Sequence, residues 1–346
     1  VDSDVVFDLD VTRNRPDCTG YLGVARDLAA GLGKQLVLPK VDQTATGHSL
    51  TVPVAIAAPD RCSRFTVQVI SGISITQSPD WIARRLARAG MRSINNVVDV
   101  SNLVNLELNQ PNHAYDFDSV KDGFNVRLAR EGEQFTTLDA VERTLSGDDL
   151  LICNAQDKPV GIAGIMGGLD SEVTDATTSI AVEIAYFEPD AVRATSTRLA
   201  LRTEASLRFE RGVDPFGAEF AAARFAELLR ITCPNLVVHS GATDARTDAL
   251  PQQARTTEVR LNTIKRVLGI DVTAQALEDL IAPIGFTIGK SATDGSVVVG
   301  IPSWRNDCNS EIDIVEEVAR HYGYANLGKI VPTSPVHGRL SDVQRR

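Results

Sequence analysis

The chain has 346 residues, 43% of them hydrophobic and 23% charged, with a formal charge of −10. That length predicts several packed units, and no apolar run approaches the roughly 20 residues a bilayer-spanning helix needs, so a membrane protein is excluded. The acidic balance argues against a surface that coats nucleic acid generally, because phosphate binding rewards clustered Lys and Arg; any RNA contact is expected to be local. Cys18, Cys62, Cys153, Cys233 and Cys308 are scattered and form no CxxC pair, which fits a reducing cytoplasm better than a disulfide framework or a zinc knuckle.

The sequence opens at Val1 ahead of a strand-like VVFDLDVT and closes at Arg346 without a helix stop, and both ends read as cut from something longer. An Asn-Arg-Pro-Asp turn at Asn14 to Asp17 leads to a helix over Tyr21 to Ala30, with Gly31 and Gly33 placed to stop it. Residues 41–50 lack an apolar period and read as a linker. Beyond it, strand-like runs such as Phe65 to Ile70 are mixed with helices from Ser78-Pro79 to Gly90 and from Pro215 to Ile231. Their irregular alternation predicts an α+β fold. A second polar boundary falls at Thr243 to Thr257. After it come helices at Leu261 to Leu268 and Ala274 to Ala282, a strand pair at Phe286 to Ile288 and Val297 to Ile301, and a helix from Ser310 to His321. Helix, helix, hairpin, helix is a winged-helix-like order.

Five clusters could carry chemistry. His113 follows a proline turn and has Ser101 and Asn102 nearby in sequence, a polar set able to orient water or a ribose hydroxyl; taken alone, a histidine hydrogen-bonded into its turn is the preferred reading. The run Gly161 to Gly168 holds four glycines that let backbone N–H groups approach a ligand, or simply make a tight turn. Glu183 is the lone carboxylate in the apolar run Ile180 to Phe187, so it faces solvent, pairs, or serves a site. Arg193, Arg198, Arg202, Arg208 and Arg211 form a candidate phosphate-contacting strip, or salt-bridged helix ends. Asp307, Asp313, Glu316 and Glu317 would suit Mg²⁺, or a solvated helix face, and by themselves the face is preferred.

Taken in order, the NRPDC and GVAR segments, VVDVSNLVNLELNQPNHAYD, GIAGIMGGLDSEV, LRTEASLRFERGVDP and PSWRNDCNSEIDIVEEVARHYGY resemble the beta subunit of bacterial phenylalanyl-tRNA synthetase over nearly the whole chain. The resemblance implies four segments: 1–40, the closing half of a discontinuous domain; 50–245, a tRNA-binding and editing domain with β-sandwich-like sheets; 257–328, a winged-helix-like domain; and 329–346, a connector. It implies a tetramer of two alpha and two beta subunits, in which alpha uses ATP to make Phe-tRNA and beta hydrolyses Tyr-tRNA(Phe). An apolar pocket cannot strongly reject a substrate that only adds a hydroxyl, so a second site has to read that group.

By motif, His113 and Asn102 fall near the ester, and Ser101, Pro111, Leu138, Ala163, Gly164, Glu183, Thr203 and Ala205 fall in the substrate pocket, with Glu183 and the Gly164 N–H on the tyrosine hydroxyl. Arg198, Arg202 and Arg208 are the expected RNA contacts, and Asp307, Asp313, Glu316 and Glu317 the expected ligands of a Mg²⁺ shared with alpha. Ser101 stands where many relatives have threonine, and Asn96 where some have arginine. Nothing resembles the family's synthetase-like or anticodon-binding domains, so this chain alone is not expected to aminoacylate. Its rivals are a tRNA-docking scaffold without hydrolysis, and a winged-helix DNA regulator, which the acidic helix at Asp313 to Glu317 argues against.

Overall fold

In the computed structural model, residues 5–42, 44–328 and 342–345 are described. A short 3-10 turn at Pro16–Thr19 precedes α1 (Tyr21–Gly31); then come β1 (Gly47–Ser49), β2 (Val54–Ile56), β3 (Cys62–Ser71), α2 (Asp80–Arg88) and α3 (Asn96–Leu108). The middle of the chain runs through β4 (His113–Asp116), α4 (Phe117–Val120), β5 (Phe124–Leu128), β6 (Gln134–Thr136), β7 (Glu142–Thr144), β8 (Leu150–Asn154), β9 (Pro159–Ile162), β10 (Met166–Gly167) and β11 (Ser179–Phe187). It continues through α5 (Pro189–Arg198), α6 (Glu204–Phe209), α7 (Ala218–Leu229), β12 (Val237–Ser240) and β13 (Thr243–Arg246). Last are β14 (Arg255–Arg260), α8 (Leu261–Leu268), α9 (Ala274–Ile281), β15 (Thr287–Lys290), β16 (Ser296–Ile301) and α10 (Glu311–Tyr322).

The result is α+β, with two large sheets facing each other. One has the strand order β1-β12-β3-β11-β4, with β13 also pairing β3; the other runs β10-β9-β8-β5-β2. Between them lies an apolar core that includes Phe65, Val67, Phe124, Val126, Leu151, Ile162 and Phe187. The outer face of the first sheet is covered by α2, α3 and α7, whose Leu86, Val100, Leu103 and Phe225 pack on Ile70, Ile180, Val182 and Ile184. Each such aliphatic side chain, fully buried, contributes about 2 kcal/mol. Helix α3 forms despite its valines because Asn95 caps it, accepting from the Val97 and Val98 N–H groups at 3.1 and 2.9 Å, and because its buried face outweighs the weak helix preference of β-branched residues. The C-terminal helices close on a separate antiparallel sheet, β14-β16-β15, around Val259, Ile264, Leu277, Phe286 and Ile314.

Several sequence expectations need correction. The segment 41–50 is not a bare linker, since β1 lies in it and pairs in parallel with β12. The polar stretch after Thr243 holds β13 and the start of β14. Residues 5–12 form no strand. Ser78 does not cap α2: Pro79 is the cap residue, and the Ser78 hydroxyl is buried without a partner among the described residues. Most of the expected connector, 329–341 and Arg346, lies outside the described residues.

Candidate functional site

Strand β11 divides its side chains by parity, as a two-residue period requires. Ile180, Val182 and Ile184 go to the helices, while Ala181 and Ala185 face the opposite sheet, and Glu183 lies between these two alanines on the same face. The alanines leave room beside a carboxylate that is only 5% exposed. Across the ladder, Glu183 is in register with His113 of β4. Two residues on, and so on the same face, Tyr115 donates its hydroxyl to Glu183 Oε2 at 2.8 Å. The His113 and Tyr115 rings meet edge to face at 4.3 Å.

The rim is built by glycine. A Cβ at Gly167 would lie 2.7 Å from His113 Cε1, so a side chain there is incompatible with the imidazole. Gly164 has φ +69°, a left-handed conformation that glycine adopts without strain, and its N–H donates to no protein group among the described residues. Helix α6 holds this loop: Thr203 caps the helix and donates its hydroxyl to the Ile165 carbonyl at 2.8 Å. The hollow so formed measures about 80 Å³ and is walled by Pro111, Asn112, Ile152, Met166, Phe187, Ala205 and Phe209 around His113, Tyr115 and Glu183. Larger hollows lie elsewhere, for instance one of about 410 Å³ beside Trp304, but they lack this pairing of a buried base and a buried acid.

Burial sets the protonation states. It pushes the Glu183 carboxyl up to about 7, against the opposing hydrogen bond from Tyr115, and pushes His113 down to about 4. His113 Nε2 has no hydrogen-bond partner among the described residues. An unpartnered imidazole nitrogen and a poised carboxyl in one aromatic-walled hollow can accept a water and a hydroxyl.

Of the residues expected here, His113, Pro111, Gly164, Glu183 and Ala205 line the hollow. Leu138 and Thr203 sit behind its rim, Leu138 N–H bonding to the Gly167 carbonyl at 3.0 Å. Ala163 is buried in the intersheet core. Ser101 fixes the approach to His113, its hydroxyl donating to the Asn112 carbonyl at 3.1 Å. Asn102, half-buried on α3, is not part of the lining. Sequence reading missed Tyr115, Phe187 and Phe209, though Tyr115 could have been found from its two-residue offset from His113.

The expected arginine strip is largely engaged within the protein. Arg198 pairs with Asp149, Arg202 with Glu210 at 2.9 Å, and Arg208, 6% exposed, with Glu204 at 2.7 Å and the Thr19 carbonyl at 3.1 Å. Arg84 and Arg92, on α2 and just after it, are exposed and make no ion pair among the described residues.

The four carboxylates expected to hold Mg²⁺ do not converge. Asp307 and Glu317 both bind Arg305, at 2.6 and 2.8 Å. Asp313 accepts from the Asn309 and Ser310 N–H groups, and Glu316 from Asn14 at 3.1 Å. Among the described residues no three acidic, histidine or cysteine side chains are grouped to hold a metal, so as placed these residues do not fit the ion. No helix among the described residues is long and apolar enough to cross a membrane.

A family described as the B3/4 domain matches residues 61–234, and one described as the tRNA synthetase B5 domain matches residues 257–324. Phenylalanine–tRNA ligase beta subunits of Anaeromyxobacter dehalogenans and Geobacter sulfurreducens are 42% and 41% identical over 95% and 96% of this chain. The chain spans about two fifths of the length of these relatives, 41% of each. A crystal structure of an N-terminal fragment of the phenylalanyl-tRNA synthetase beta subunit from Pyrococcus horikoshii covers 90% of this chain, and this chain covers 85% of it, at 17% identity and a TM-score of 0.45.

Proposed function

Because this chain belongs to the B3/4-domain family, in the form found in phenylalanine–tRNA ligase beta subunits, we propose that the hollow between its sheets hydrolyses tyrosine wrongly esterified to phenylalanine tRNA. The observation that carries the reading is His113 Nε2, buried without a partner in the hollow that also holds Glu183. The aromatic walls accept the ring, Glu183 accepts the phenol hydroxyl, and the free Gly164 N–H donates to the phenol oxygen. His113 and Asn102 act toward the ester and terminal ribose. A group with a pKa of about 4 is a poor proton acceptor at neutral pH, so His113 orients the attacking water, which adds to the ester carbonyl; the acyl C–O bond then breaks to free tyrosine, and the ribose oxygen leaves as a hydroxyl carrying the water's proton.

The 1–40, 50–245, 257–328 and 329–346 divisions, the alpha partner in a two-alpha, two-beta tetramer, and tRNA(Phe) as substrate are part of the same proposal. ATP chemistry would belong to alpha. A Mg²⁺ shared with alpha would need Asp307 and Glu317 released from Arg305, and no step is assigned to it. Exposed Arg84 and Arg92 are better placed than buried Arg208 to meet phosphates.

The test is hydrolysis of Tyr-tRNA(Phe) against Phe-tRNA(Phe) by this chain. Ester loss selective for tyrosine, abolished in His113→Ala and Glu183→Ala, supports the reading. Activity only after reconstitution with the full tetramer favours a docking scaffold, a role to which the ion pairs joining the chain's first and last thirds, through Arg320 and Asp27 at 3.0 Å, would also be suited.

A further inference from the structure

Glu183 has two oxygens, and the fold has already assigned one of them. Tyr115, 1% exposed, holds Oε2 at 2.8 Å. Oε1 accepts no hydrogen bond among the described residues, and Glu183 lines the hollow. The Tyr115 ring cannot swing away freely, being packed against His113 on one side and Phe124 at 5.3 Å on the other. We propose that Tyr115 is the specificity-determining positioning residue of this site: its phenol fixes the Glu183 carboxylate so that Oε1 alone is presented to the hydroxyl of an aromatic acyl group.

The inference rests on the editing reading and deepens it by naming what makes the site selective for a phenol. The chain's own phenol occupies one acceptor, so a substrate phenol meets a single acceptor in one orientation. A site built to hydrogen-bond a hydroxyl disfavours the analogue that lacks it, because the buried acceptor is then left unpaired. The titratable groups facing Glu183 are Tyr115 and His113 on β4 and Cys62 on β3. From the glycine loop and α6 the lining is Gly164, Ala205 and Phe209, which do not titrate. Tyr115 favours the ionised carboxylate, so removing its hydroxyl makes Glu183 harder to ionise.

Tyr115→Phe keeps the ring and deletes one oxygen. The measurement is binding of non-hydrolysable amide analogues of tyrosyl- and phenylalanyl-adenosine, from pH 6 to 9, to the wild type and the variant, with hydrolysis of Tyr-tRNA(Phe) followed in parallel. The wild type is expected to prefer the tyrosyl analogue, increasingly as pH rises through the Glu183 titration. In Tyr115→Phe the preference at neutral pH drops roughly tenfold, the worth of one hydrogen bond to a charged group, and the curve moves to higher pH. An unchanged preference overturns the proposal, as does a loss that is equal at every pH. A wild type that binds selectively but leaves the ester intact sinks the hydrolytic reading and spares Tyr115; a wild type with no preference sinks both.

Discussion

Glu183 and Arg305 are both almost wholly inside the protein, at 5% and 1% exposure, yet their surroundings treat charge in opposite ways. Glu183 makes no ion pair among the described residues, and burial drives it and His113 toward their neutral forms. Around Arg305 the charges are paired, although its buried Nη1 has no hydrogen-bond partner among the described residues. Arg305 binds Asp307 and Glu317, Glu317 binds Arg320 at 3.1 Å, Arg320 binds Asp27 at 3.0 Å, and Asp27 binds Arg15 at 2.6 Å. Burial alone would raise the Glu317 carboxyl, but Arg305 and Arg320 pull it down to about 2. Paired burial fastens segments far apart in sequence, whereas unpaired burial leaves groups able to exchange protons or accept a ligand.

The largest effect expected is at the paired cluster. Arg305→Met leaves Asp307 without its cation and Glu317 with Arg320 alone, and chemical denaturation at pH 7 is expected to show a loss of about 3–5 kcal/mol; a loss below about 1 kcal/mol would mean the pairs contribute no more than surface ones. Next is Glu183→Gln, which keeps an acceptor for Tyr115. Burial holds the folded pKa of Glu183 near 7, above its ordinary value of 4.5, so the stability tied to its protonated form is full below pH 4.5 and is lost as pH rises toward 7. The variant should therefore be more stable than wild type at pH 8, by on the order of 3 kcal/mol, with the gap closing by pH 4.5. Glu317 has the opposite sign: its contribution is present above pH 4.5 and is lost as pH falls toward 2. Urea midpoints measured across pH separate the two clusters, and parallel slopes would break the contrast.

Smaller effects concern the rim of the hollow. Gly167→Ala forces a methyl group against the His113 ring and should cost about 1–3 kcal/mol, with the His113 NMR resonances displaced; unmoved resonances would show that the loop yields instead. Thr203→Ala removes the α6 cap and the bond to Ile165, at about 1 kcal/mol, read as a lower melting temperature. That change should leave the acid-side behaviour of Glu317 untouched.

Much of the site was legible locally. Glu183 stood out as a lone carboxylate among apolar neighbours, and strand parity fixed which residues share its face. Parity could not say which face met the second sheet. It could place Tyr115 on the same face as His113, but not its bond to Glu183, which depends on the pairing of β4 with β11 across 68 residues. The acidic run on α10 misled for a related reason. Its spacing suggested mutual repulsion, but Asp313 turns to the helix start and Glu317 to arginines at 305 and 320, so the carboxylates never share a centre. Strand β1 was hidden because Gly47, His48 and Ser49 carry no apolar signal; only its parallel pairing with β12, some 190 residues away, makes it a strand.

The parity of β11 has a further consequence for redesign. Ile180, Val182 and Ile184 belong to the helix-packed core, Glu183 and Phe187 line the hollow, and Ala181 and Ala185 flank Glu183 in the intersheet core, so the two alanines can be varied as a two-position library beside the binding space without touching the residues that anchor α3 and α7. A strand wired in this way lets selectivity drift while the scaffold stays under separate selection.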